Sequence, residues 1–130
     1  MPTYLLDTNV IIDVLNRKRG RAALLEKLLL DGHRLACCAI NVAEVYAGMR
    51  TAEEPRTVEF LGSLDYYEIS PQAARRAGLL KRDWARKGTT LNIQDALIAA
   101  TALENDLMLV TGNARHYPMP ELQLFPLEAR

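Results

Sequence analysis

Short apolar runs alternate with helical segments along almost the whole chain, and this order restricts the fold more than any other feature. The predicted strands cover residues 4–6, 35–39, 66–69, 107–111 and 122–125, and the predicted helices cover residues 9–15, 21–30, 42–49, 55–64, 72–87 and 92–105. Because parallel strands need crossover connections, which are usually helices, this alternation predicts an α/β domain. We expect three layers, α/β/α, around a central and mostly parallel sheet of four to five strands.

The length and charge of the chain limit the classes of protein to which it can belong. Its 130 residues fit one domain spanning residues 1–130, which is long enough to bury about 65 to 70% of the unfolded surface. The 16 basic and 16 acidic residues cancel, so any site for a polyanion must be local. Residues 1–12 contain no basic leader, and no apolar run approaches the roughly 18 residues needed to cross a bilayer. We therefore expect a cytoplasmic protein that does not bind membranes.

Three uncharged stretches each contain one acidic residue and no other charge. Asp7 lies in residues 1–12, Glu44 in residues 35–49 and Asp95 in residues 88–103. An ionised carboxylate in an apolar environment must be paired, protonated or bound to a cation, because leaving it unpaired costs several kcal/mol, on the order of 3 to 5. If the three acids converge, their repulsion favours a cation between them.

Helix capping is an alternative role for the same three acids. Asp7 precedes the first helix, and Asn41 with Glu44 and Asn92 with Asp95 have the three-residue spacing of a capping box. The apolar neighbours on the faces of Glu44 and Asp95 predict that both acids are covered rather than solvated. Capping and metal binding are compatible, because helix amino termini help to keep carboxylates ionised.

The other residues that could bind a metal do not form a second cluster. Cys37 and Cys38 are adjacent in an apolar run and are predicted to be small buried side chains. His33 and His116 are each predicted to lie at the surface. A site built from oxygen ligands alone favours Mg²⁺ or Mn²⁺ over zinc and suits phosphodiester hydrolysis.

The amino-acid sequences of four segments are similar to those of a known family. The segments are LLDTNVIID at residues 5–13, NVAEVYAGM at 41–49, QDALIAATAL at 94–103 and LVTGNARHYP at 109–118. Together and in this order they make the chain resemble PIN-domain ribonucleases of the VapC toxin type over essentially its whole length. The resemblance implies a PIN-like fold and a metal-dependent endoribonuclease that hydrolyses RNA with metal-activated water.

The resemblance also assigns roles to particular residues. Asp7, Glu44 and Asp95 become the catalytic and metal-binding acids. The polar neighbours that orient ligands or water are Thr8, Asn9, Thr111 and Asn113, and the candidates for holding the RNA backbone are Arg17, Arg19 and Arg115. The fullest form of the family pattern has a fourth acid where this chain has Asn113, so a second metal is expected to bind weakly without substrate.

The resemblance further implies partners. We expect a VapB-type antitoxin, an RNA substrate and a homodimer, with DNA reached only through the antitoxin. Two rival functions stay open at this point: a structure-specific DNA nuclease, and a catalytically silent RNA-binding or regulatory PIN module that retains the acids as helix caps. Binding of Mn²⁺ separates the silent module from an enzyme, and cleavage of matched RNA and DNA separates the two nucleases.

Overall fold

A computed structural model describes residues 2–127 of the chain and shows a parallel sheet between two layers of helices. The strands are β1 (Thr3–Leu6), β2 (Arg34–Cys38), β3 (Asp65–Tyr67), β4 (Met108–Thr111) and β5 (Leu124–Pro126). The helices are α1 (Thr8–Leu15), α2 (Arg21–Leu30), α3 (Ala39–Gly48), α4 (Glu54–Gly62), α5 (Pro71–Arg86) and α6 (Ile93–Glu104). Short 3-10 turns occupy Thr51–Glu53 and Ala114–His116.

The sheet order is β3-β2-β1-β4-β5, and each of its neighbouring pairs is parallel. The α/β prediction is therefore confirmed, and the sheet has the larger of the two expected strand numbers. Because β1 is the central strand, its carboxyl end lies between those of β2 and β4. The carboxyl ends of these three strands therefore lie at the same edge of the sheet. This edge is where ligands gather in open parallel sheets.

Alternating residues of the strands build two separate cores. Tyr4 and Leu6 pack with α1 to α4 on one face of the sheet, whereas Leu5 packs with α6 and the partly buried Leu80 and Trp84 of α5 on the other. This alternation follows from the two-residue period of a strand. The three-layer arrangement predicted from the sequence is therefore confirmed.

Several element boundaries differ from the prediction by one to three residues. Ala39 was assigned to a strand but begins α3, because the strand ends at Cys38, which precedes the helix with extended backbone angles. Ile69 was also assigned to a strand, whereas β3 ends at Tyr67. Ile69 packs instead against the small residues of α5 and α6. Both residues are partly buried, as their apolar character indicates, but that character does not distinguish a strand from the helix or turn that follows it.

Cys37 and Cys38 are free and buried in β2, as predicted, and they lie on opposite faces of the sheet. Burial raises the pKa of the Cys37 thiol to about 11, and burial also raises the pKa of Cys38. Both cysteines are therefore neutral core side chains. Within residues 2–127, none of the helices combines the length and apolar character that crossing a bilayer requires.

Candidate active site

Asp7 directly follows the central strand β1, and three neighbours fix its carboxylate. Its Oδ1 accepts a hydrogen bond from the Thr8 backbone N–H at 2.9 Å, which makes Asp7 the N-cap of α1. Its Oδ2 accepts from Thr111 Oγ1 at 2.7 Å and from Asn9 Nδ2 at 3.2 Å. With only 4% of its surface exposed, Asp7 is a buried acid whose hydrogen bonds all come from uncharged donors in the described residues.

The segment after β4 completes the surroundings of Asp7. The buried Thr111 ends β4 and accepts from the Asn113 N–H at 2.9 Å while it donates to Asp7. The Gly112 N–H donates to Asn9 Oδ1 at 3.1 Å. The polar residues expected around the acid are therefore present, and Asn113 contributes its backbone N–H to this network.

Glu44 reaches the same edge from α3 through Thr8. The Thr8 hydroxyl donates to Glu44 Oε1 at 2.7 Å and accepts from Asn41 Nδ2 at 3.1 Å. Two expectations about this helix were wrong. Glu44 is exposed rather than covered, and Asn41 is the third residue of α3 rather than its cap, because its Oδ1 accepts from the Cys38 N–H at 2.8 Å.

Asp95 lies in the first turn of α6 and is partly buried. Asn92 caps this helix by accepting from the Asp95 N–H at 2.8 Å, as its position predicted. The Asp95 carboxylate accepts from the Tyr117 hydroxyl at 3.2 Å on Oδ1, and Oδ2 faces His116 Nδ1 at 3.5 Å. His116 is exposed as expected, but it belongs to the site rather than to a remote surface.

The pKa of Asp95 is affected by the charges of both other acids. Burial raises the pKa of Asp95, the negative charge of Asp7 raises it further, and Glu44 adds in the same direction. His116 and Tyr117 lower this pKa but do not reverse the shift. Since like charges are concentrated at this edge, a divalent cation would relieve an existing repulsion.

The carboxylates of Asp7, Glu44 and Asp95 do not surround a single position closely. Within residues 2–127, no three His, Cys, Asp or Glu side chains are grouped tightly enough to hold one ion. The oxygen chemistry fits Mg²⁺ or Mn²⁺, since such ions keep several waters and need only one or two carboxylates from the protein. Asp7 and Asp95 suit direct contact, and Glu44 is held by Thr8 at the rim. Metal binding by these residues stays a prediction.

The arginines expected to grip RNA lie in different places. Arg17 and Arg19 follow α1, whose 8 residues separate them from Asp7 by roughly 12 Å of helix. Arg19 also pairs with the buried Asp13 at 3.2 Å, so it serves the fold. Arg115 is exposed on the turn directly after Thr111 and Asn113 and is the better placed of the three.

Sequence reasoning missed Tyr117 and the linking role of Asn41. Burial and the negative charges of Asp7 and Asp95 raise the pKa of Tyr117 far above its ordinary value, so it is a hydroxyl donor at any physiological pH. Its position in the sequence could have indicated a role in the site, because Tyr117 follows Thr111 by only six residues and Thr111 ends a strand at the edge where the acids lie. The course of the intervening turn was not predictable from residue spacing.

An apolar groove lies away from the acids. Its volume is about 490 Å³, and α1, α2, α4 and the starts of β2 and β3 enclose it. Leu25, Leu29 and Phe60 contribute apolar surface, and His33 lines it with a buried Nδ1 that has no hydrogen-bond partner in the described residues. Contrary to expectation, His33 is half-buried, with its ring 4.8 Å from that of Tyr4.

The fold and the site together define an α/β domain with acidic side chains gathered beyond the carboxyl ends of its central parallel strands. The family model described as PIN domain matches residues 4–122, and the chain therefore belongs to the PIN domain family. Several relatives of this chain are named VapC.

Two relatives are proteins of Mycobacterium tuberculosis. Ribonuclease VapC10 is 38% identical over 94% of this chain and 90% of its own length, and Ribonuclease VapC19 is 33% identical over 92% and 96%. Among solved structures, VapBC2 from Rickettsia felis, bound to a DNA fragment from the promoter, contains a similar chain. The TM-score is 0.83 at 25% identity, covering 97% of this chain and 99% of that one.

Proposed function

We propose that this protein is a metal-dependent endoribonuclease and the toxin of a VapBC-type toxin–antitoxin pair. One observation carries the proposal: Asp7, Glu44 and Asp95 reach one edge of the sheet, and the charges of the other two raise the pKa of Asp95. The relatives named ribonucleases favour RNA as the substrate.

Each side chain has a role in this proposal. Asp7 is held rigidly by Thr8, Asn9 and Thr111, so its carboxylate is preorganised to bind Mg²⁺ or Mn²⁺ together with Asp95. A bound ion would supply Lewis acidity toward the scissile phosphate and would help a water molecule to lose its proton. Glu44 is exposed and held by the Thr8 hydroxyl, and is thus available to accept that proton.

The substrate must present a phosphate to a shallow and partly exposed edge. Single-stranded loops of RNA can be splayed out to do so, whereas a duplex cannot. Arg115 is exposed beside Asn113 and can contact the flanking backbone. We therefore infer that structured RNAs are cut in their loops.

The test compares RNA and DNA of matched sequence, each with Mn²⁺, with Mg²⁺ and with a chelator. We expect the wild type to cleave RNA only with a divalent ion, and Asp7→Asn to lose that activity while keeping the fold. Asp31→Asn is the matched control, because Asp31 is exposed and precedes β2 at the opposite edge of the sheet. Full activity of Asp7→Asn contradicts the mechanism.

The same experiment separates the rival functions. Equal cleavage of DNA supports a DNA nuclease. Calorimetry with Mn²⁺ alone addresses the silent module, since acids that serve only as helix caps take up no stoichiometric metal. Homodimer formation and a cytoplasmic location stay predictions, and light scattering measures the first of them.

We also propose that the apolar groove receives an apolar segment of a VapB-type antitoxin. The solved structures that this chain resembles include toxin–antitoxin complexes, and the groove has a large apolar lining that includes Leu25, Leu29 and Phe60. Leu29→Glu should weaken antitoxin binding about tenfold or more, because an apolar contact is replaced by a charge. Leu30→Glu is the control, since Leu30 is 83% exposed and does not line the groove. Equal binding of the two variants overturns this placement.

A further inference from the structure

Tyr117 combines a buried ring with a hydroxyl that faces the acidic site. Only 3% of the residue is exposed, and its ring belongs to the core beneath α6 together with Leu91 and Ile98. The ring is therefore locked in place by packing. A buried tyrosine needs a partner for its hydroxyl, and here that partner is Asp95 Oδ1 at 3.2 Å.

The same hydroxyl also faces Asp7, whose carboxylate interacts with it. A phenol has one hydrogen and can donate to only one carboxylate at a time. Asp7 already accepts from Thr111 at 2.7 Å, from Asn9 at 3.2 Å and from the Thr8 N–H at 2.9 Å. Tyr117 thus donates to Asp95, which accepts fewer hydrogen bonds from other groups than Asp7 does.

Asp95 has few other groups to fix its orientation. Its Oδ2 faces His116 at 3.5 Å, and the His116 side chain is 44% exposed. Among the described residues, no lysine or arginine pairs with Asp95. The conformation of the Asp95 carboxylate toward Asp7 therefore depends chiefly on the Tyr117 hydroxyl.

We propose that Tyr117 is a positioning residue that holds the Asp95 carboxylate toward Asp7 and thereby sets the affinity of the site for divalent metal. This inference depends on the proposed metal site. Hydrogen-bond donors to a ligating carboxylate orient it, and removing one typically costs about 10- to 100-fold in metal affinity. Tyr117 itself does not touch the ion in this role.

The test is Tyr117→Phe, which keeps the ring and removes the hydroxyl. We expect Mn²⁺ to bind at least about tenfold more weakly by calorimetry. RNA cleavage should recover when the Mn²⁺ concentration is raised in proportion. Tyr66→Phe is the matched control, because Tyr66 is 55% exposed and lies in the edge strand β3, which β2 separates from β1 and Asp7. Its Mn²⁺ affinity should equal that of the wild type.

A purely structural role would lower the melting temperature of metal-free Tyr117→Phe and leave its Mn²⁺ affinity unchanged, and this outcome overturns the inference.

In the wild type, the ring signals of Tyr117 in an NMR titration should shift with the same saturation as Mg²⁺ uptake. This second measurement needs no variant, and ring signals that do not respond to saturating Mg²⁺ also overturn it. If the wild type takes up no Mn²⁺, the metal site itself fails. If the wild type binds and Tyr117→Phe binds equally, only the role of Tyr117 fails.

Discussion

The buried Asn41 holds the Thr8 hydroxyl at 3.1 Å, and Thr8 in turn holds the exposed Glu44 at 2.7 Å. A fully buried amide thereby determines where a surface carboxylate points. Since Asn41 also accepts from the Cys38 N–H at the end of β2, the position of Glu44 is connected to the sheet and not only to its own helix.

Removing the Thr8 hydroxyl should reduce activity without unfolding the protein. In Thr8→Val, Glu44 loses its donor and becomes free to rotate, so we expect RNA cleavage to fall about tenfold or more while Mn²⁺ affinity changes little. Thr8→Ser keeps the hydroxyl and should retain most of the activity. Cleavage rates at saturating Mn²⁺ measure the effect, and equal rates for the two variants would show that Thr8 does not orient Glu44.

The ion pair at the end of α1 should matter for stability. Asp13 is fully buried and lies 3.6 Å from Arg21, whose side chain is 7% exposed, and 3.2 Å from Arg19, which is 39% exposed. Asp13→Asn removes a countercharge from the buried Arg21 and should lower the free energy of unfolding by about 3 kcal/mol or more. Arg19→Gln should cost less than about 1 kcal/mol, because that arginine stays solvated. Urea denaturation measures both, and similar losses for the two variants would contradict this difference.

The two cysteines should be unreactive in the folded protein. Burial raises the pKa of Cys37 to about 11, and Cys38 is completely buried, so neither thiolate nor access is available at neutral pH. We expect no labelling by a thiol reagent at pH 8 in the native protein and labelling of two thiols per chain in denaturant. Fast native labelling would indicate that β2 opens.

The exposed ion pair between Arg34 and Asp65 should give a small acid-dependent contribution to stability. Arg34 lowers the pKa of Asp65 through a bidentate contact at 2.6 and 2.8 Å. A depressed carboxyl pKa stabilises the fold above its unfolded value of 3.8, and the contribution is lost as the pH falls through the folded value. Asp65→Asn should therefore melt slightly below the wild type at pH 7 and together with it at about pH 2. A difference that persists at low pH would assign the effect to another cause.

The order of helices and strands, and the unusual positions of the three acids, can be read from the sequence because both depend on local chemistry. Short apolar runs identify the strands, and a lone acid in an uncharged stretch predicts a covered carboxylate, as found for the buried Asp7 and the partly buried Asp95. The exposure of Glu44 was not predictable, because small neighbours such as Ala47 and Gly48 occur on covered and on open helix faces alike. The contact between Tyr117 and Asp95 was also beyond prediction, since it joins residues 22 positions apart through an irregular turn.

Both outer strands of the sheet, β3 and β5, are only three residues long. β5 ends in Pro126, which has no N–H to offer, and β3 begins with Asp65, whose carboxylate is engaged by Arg34. Both features disfavour pairing of these edge strands with an extended segment of another chain. We therefore expect a binding partner to contact side chains on the helices rather than to lengthen the sheet.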